Sequence, residues 1–187
     1  MFKHLILAAL CCGIFAGPAM AKDFEAKIIM RTTGMTTVGH LWRKGDRIRQ
    51  ELNTPGMPTV VISDMNSGTT ITLVQASKTF METPGQGLQS DKDLEQQAKK
   101  IRLGEETFNG WLCDKHRYDF HDPNLGSMTQ WVAKDLDFAV RTVNESPGMG
   151  RMSIELADIR IKEVDPALFE VPVGYRKQSL PAMPNLQ

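Results

Sequence analysis

The sequence predicts a mainly β protein of the α+β class, one large and strongly curved antiparallel sheet with a helix laid on one face. Three observations predict it. Most of the chain alternates apolar and polar residues in period two, turn signatures recur between these runs, and only one segment has helical spacing.

The chain of 187 residues opens on a different pattern. Lys3 gives a positive start, Leu5 to Phe15 an apolar stretch, and Ala19-Met20-Ala21 the small residues a signal peptidase needs. Residues 1–21 are therefore expected to be a signal peptide, cleaved between Ala21 and Lys22. The apolar run is too short for a membrane span, which needs about 20 residues, and Gly17-Pro18 breaks it before the cut. Lipoprotein processing is not expected, because Cys11 follows Leu10 and Cys12 follows Cys11, with no small residue before either.

Removing this segment leaves residues 22–187, long enough for one domain with a self-sufficient core. A single domain is expected over 22–178, with a flexible tail over 179–187, where prolines replace periodicity. Cys113 is the one cysteine left and has no partner in the chain, so no internal disulfide is expected. Its plain reading is a small buried apolar side chain. Basic and acidic residues balance at 22 each. The leader carries one lysine and no acid, so the mature chain is slightly acidic, with interspersed charges. Nothing in it predicts nucleic acid as a partner, and no transmembrane anchor is expected in the mature chain.

The elements follow in order. Phe24 to Thr33 alternates Phe24, Ala26, Ile28 and Met30 against Glu25, Lys27 and Arg31. Thr36 to Arg43 follows after Gly34, and Lys44-Gly45-Asp46 turns the chain into a strand over Asp46 to Asn53. Thr54-Pro55-Gly56-Met57-Pro58 reads as a rigid loop. Thr59 to Asp64 and Thr69 to Gln75 flank the hairpin signal Asn66-Ser67-Gly68, and Lys78 to Glu82 adds a short strand. Asp91 to Lys100 is the helix, with Ser90 as N-cap and Leu94, Ala98 and Ile101 as its apolar stripe. Strands resume over Glu105 to Phe108, turn at Asn109-Gly110, and continue through Trp111 to His121, Met128 to Ala133, Phe138 to Asn144 and Arg151 to Glu163.

No constellation in this pattern predicts catalysis. There is no Gly-x-Ser-x-Gly elbow and no phosphate loop, and the adjacent pair Glu105-Glu106 points apart on a strand. Cys113 and His116 face opposite sides of their strand, so neither a metal nor any other cofactor is expected there. The methionines of the mature chain are scattered, which argues against a copper-binding stretch and for adaptable apolar lining. Met30, Trp42, Trp111 and Trp131 are the candidate ligand-binding residues, as large apolar groups able to wall a cavity.

The run from Gly104-Glu105 through Gly110-Trp111-Leu112-Cys113-Asp114-Lys115 resembles a segment of the exported bacterial family known as domain of unknown function 4412. Trp131 to Leu136 resembles its next strand, and Asp165-Pro166-Ala167-Leu168-Phe169-Glu170-Val171-Pro172-Val173-Gly174-Tyr175-Arg176 its closing motif. That ending is also similar to those of the periplasmic lipoprotein carriers and the outer-membrane lipoprotein receptor. The resemblance implies an incomplete β-barrel with helices over its opening. The function expected is a soluble, non-enzymatic periplasmic protein that holds a lipid or lipoprotein acyl chain in the concave face of the sheet. The alternative is a protein-interaction or sensor module with a filled core.

Overall fold

The computed structural model describes residues 22–53, 58–84, 91–148 and 150–178. The expected signal segment, the tail, most of the Thr54–Pro58 loop and the cap at Ser90 lie outside the described residues. Strands β1 (Phe24–Thr32), β2 (Met35–Lys44), β3 (Arg47–Leu52), β4 (Thr59–Asp64), β5 (Thr69–Val74) and β6 (Thr79–Pro84) form one meander. Helix α1 (Asp91–Gln97) leads into a second, β7 (Ala98–Phe108), β8 (Trp111–Phe120), β9 (Ser127–Ala133), β10 (Phe138–Ser146) and β11 (Gly150–Ile161). A 3-10 turn (Pro166–Phe169) and the short β12 (Arg176–Lys177) follow. All strands join one sheet in the order β12-β6-β5-β4-β3-β2-β1-β11-β10-β9-β8-β7. The seam between the meanders is β1 against β11, antiparallel.

The turns follow their sequences. Asn109 and Gly110 both take positive φ, 48° and 83°, the backbone a two-residue hairpin requires.

Chain length forces the sheet to curve. Laid flat, β6 and β7 would stand about 48 Å apart, ten strand spacings. The connection from Pro84 to Asp91 reaches at most about 25 Å, and α1 adds about 10 Å. The sheet is strongly curved but does not close. β6 carries the parallel β12 on its outer side. The edge strand β7 has a bulge between Arg102 and Gly104 in its pairing with β8 and carries Lys99, Lys100, Arg102, Glu105 and Glu106 along its length, features that discourage edge-to-edge pairing.

Three clusters hold the sheet. In the first, Phe24, Ala26, Ile28, Leu41, Ile48 and Leu156 pack with Leu136, Val140, Cys113, Trp131 and Ala133. Arg43 is buried here: its guanidinium donates to the carbonyls of Leu136 at 2.7 Å and Asp137 at 3.1 Å, tying β2 to the β9–β10 turn. In the second, Val60, Ile62 and Leu73 are covered by Val164 and Phe169, with Trp42, Leu168 and Tyr175 at the margin. In the third, Leu94 and Ala98 lie over Tyr118 and Met128.

The helix is shorter than its apolar spacing predicts. It stops at Gln97, and Ala98 to Ile101 pair instead with Phe120 to Arg117 as the start of β7. Leu94 and Ala98 stay buried either way. The hydrogen bonds of the long β7–β8 hairpin, with His121 donating to the Gln97 carbonyl at 2.9 Å, outweigh another helical turn.

Candidate functional site

The alternation of side chains sorts the sheet into two unlike faces. On the face of Phe24 and Ile28, one cross-strand row runs Thr37, Met30, Ile154, Thr142, Gln130, His116. The next row toward the β1–β2 turn holds Met35 and Thr32, then Met152, Asn144, Met128 and Tyr118. On the β3–β6 side the same face presents Gln50 and Leu52, Thr59 and Val61, Thr72 and Val74, then Thr79 and Met81. Among the described residues whose pairing places them on this face from β6 to β9, Arg43 alone carries a formal charge, and it is buried in its own bonds. Met30, Met152 and Ile154 are half-buried, and Met35 is 49% exposed. The Nδ1 of His116 is buried without a hydrogen-bond partner.

From β6 to β9 charge collects on the opposite face, whereas on β7 and β8 the Met30 face itself carries Lys100, Arg102, Glu105 and Asp114, with Arg102 and Asp114 paired at 3.3 Å. On the opposite face the row abreast of Met30 and its neighbours is Val38, Ile29, Glu155, Arg141, Trp131, Lys115. Arg31 binds Glu155 at 2.6 Å. The Arg141 guanidinium lies 4.6 Å over the Trp131 ring, and the Lys115 ammonium lies 4.5 Å from the same ring. Lys115 also donates to Glu106 at 2.7 Å. That bond, with the nearby Trp131 indole, holds the Glu106 carboxyl below its usual pKa. A surface hollow of about 360 Å³ on this face is lined by Glu25, Lys27, His40, Asn53, Asp158 and Arg160 among others. Glu25 pairs with Lys162 at 3.1 Å, and the hydrogen bond from Lys162 lowers its pKa. This hollow is a polar place, unsuited to an acyl chain.

The four residues singled out from the sequence do not share one site. Met30 lies on the uncharged face. Trp42 is on the charged face in the second cluster, its ring stacked on His40 at 5.0 Å. Trp131 belongs to the first cluster and Trp111 packs against it. Strand parity sets both opposite Met30, but the cluster also holds Phe24, Ile28 and Leu156 of the Met30 face, so the two faces meet in one core there. Cys113 is fully buried beside them, its thiol donating to the Trp111 carbonyl at 3.3 Å, and burial pushes its pKa up. His116 faces the other way. The residues missed are Met35, Met81, Met128 and Met152, which share the face of Met30 although they are scattered along the chain. Parity within each strand was the available signal, but it becomes usable only once β1 is known to pair with β11.

No protein-family model matches the sequence, and no curated protein matches it. The resemblance to domain of unknown function 4412 therefore rests on its short motifs. The structure is similar to that of an uncharacterized conserved protein from Thermus thermophilus, with a TM-score of 0.64 and 11% identity over 87% of this chain and 93% of that one. It is also similar to a chain of the Pseudomonas aeruginosa MucA/MucB complex, with a TM-score of 0.56 and 11% identity over 79% of this chain. The aligned part is 54% of that chain, so this protein matches little more than half of it. At such identities these likenesses show the fold alone. A LolA superfamily protein from Nitrosomonas europaea overlays at a TM-score of 0.41, with 8% identity over 80% of this chain and 90% of that one. The open, curved sheet implied by the sequence resemblance is the architecture found.

Proposed function

We propose that this is a non-enzymatic binding protein, working in the periplasm after export, that receives an acyl chain of a lipid or lipoprotein on the uncharged face of its sheet. One observation carries the reading: the segregation of charge from β6 to β9, which leaves a face of methionine, isoleucine, valine and threonine across those strands. Each methylene buried there is worth about 0.8 kcal/mol, and no exposed ion has to be stripped of water to admit it. Methionine suits such a surface because its unbranched, polarizable side chain adapts to ligands of varied shape.

A second reading is favoured by the half-buried amides and hydroxyl on the same face, Asn144, Gln130 and Thr142. These can satisfy the backbone of a bound protein segment, and the fold does occur in a protein complex, that of MucA and MucB. Native mass spectrometry separates the two readings. Delipidated, refolded protein mixed with palmitate or phosphatidylethanolamine is expected to hold one lipid per chain. No adduct with either, together with one stoichiometric protein captured by crosslinking, would replace the lipid reading by the second.

A further inference from the structure

The methionines that look scattered in sequence are not scattered in space. Met30 pairs with Ile154 across the β1–β11 seam and with Thr37 on β2. Met35 pairs with Thr32, two residues beyond Met30 on the same face. Met152 precedes Ser153, the partner of Arg31, and so stands abreast of Thr32 on the other side of β1. Met30, Met35 and Met152 therefore form a triangle on three adjacent strands with Cα separations of about 8–10 Å, set by strand spacing and rise. Each thioether sulfur stands three flexible bonds beyond its Cα. Three of them can converge above the middle of such a triangle.

We propose that these three thioethers form a binding site for a soft monovalent metal ion, Cu(I). The chemistry of the face selects the ion. Thioethers favour Cu(I) over hard cations, and the neighbouring groups, the Thr32 and Thr37 hydroxyls, are neutral. The residues paired around the triangle, Thr32, Thr37, Ile154 and Asn144, offer no carboxylate or thiolate. A divalent ion would therefore place an uncompensated double charge there, whereas Cu(I) brings a single charge spread over polarizable sulfur. Among the described residues no three of His, Cys, Asp and Glu stand close enough to hold a metal, so the sulfur triangle has no competing site of that kind among them. The exposed Met35 opens a route for the ion, while the half-buried Met30 and Met152 hold it from below.

The site is independent of the acyl-chain reading, and methionine-to-leucine substitution tells them apart. Leucine keeps the volume and apolar character of the face but removes the sulfur. The test is anaerobic titration of the mature chain with Cu(I) held by a chromophoric chelator, with folding of every variant checked by circular dichroism. The expected result is withdrawal of one Cu(I) per chain, with sulfur-only coordination by X-ray absorption. Met30→Leu, Met35→Leu and Met152→Leu should each weaken binding at least tenfold. Met81→Leu, on the same face but far along the sheet, and Cys113→Ala should leave it unchanged. Absence of Cu(I) transfer would overturn the proposal. So would binding that survives all three leucine substitutions or disappears with Cys113→Ala. Lipid uptake by the leucine variants reads the acyl-chain hypothesis separately.

Discussion

Single residues in this sheet are constrained by what lies within a few ångströms. Gly39 has an ordinary backbone conformation, yet a Cβ built on it would stand 1.9 Å from the Glu51 carbonyl oxygen. Gly39→Ala therefore forces β2 and β3 apart and should cost about 1–3 kcal/mol, read as a fall in Tm. Cys113 lies at the other extreme, fully buried with its thiol pKa raised. It should resist thiol-reactive dyes in the native protein and react fully once the chain is unfolded; ready labelling of native protein would contradict its placement. Glu25 links stability to pH. Its folded pKa is lowered from 4.5 by Lys162, so its pairing stabilises the fold above the ordinary carboxylate range and is lost as the pH falls through the lowered value. Thermal melts between neutral pH and about pH 3 should show a shallower acid loss for Glu25→Gln than for wild type.

At the level of elements, the C-terminal segment is the cover of the second cluster. Asp165 caps the 3-10 turn by accepting from the Ala167 amide at 2.9 Å, Pro166 starts it, and Phe169 is buried over Val60, Ile62 and Leu73. Arg49 fastens it by donating to the Leu168 carbonyl at 2.8 Å. Phe169→Ala should cost about 3 kcal/mol, and Asp165→Ala about 1 kcal/mol, both by chemical denaturation. The strands themselves are legible in the sequence because alternation is a local signal, as in Thr59–Asp64, where expected and observed limits coincide. The end of α1 is not. Leu94, Ala98 and Ile101 satisfy helical spacing, and only the distant partner strand shows that Ala98 to Ile101 are needed for pairing. The candidate face is illegible for the same reason. Met30 and Met152 become neighbours through a seam joining the first strand to the eleventh, and nothing local to either residue announces it.

Over the whole molecule, two meanders joined at that seam give a curved sheet. From β6 to β9 its ions lie on one side and an almost chargeless surface on the other, bounded at β8 and β7 by Asp114, Arg102, Glu105 and Lys100. The ion pairs Arg31–Glu155, Lys115–Glu106 and Lys162–Glu25 all lie on the side away from Met30. Such segregation costs little if the uncharged side is covered by a ligand, and exposes apolar surface if it is not. The most direct measurement is photo-crosslinking with a diazirine fatty acid followed by peptide mapping. The proposed function predicts labels on the strands and side chains of the uncharged face, around Met30, Met35, Ile154 and Met152. Labelling concentrated instead at Trp42, His40 and Lys27, or none above an unfolded control, would contradict it.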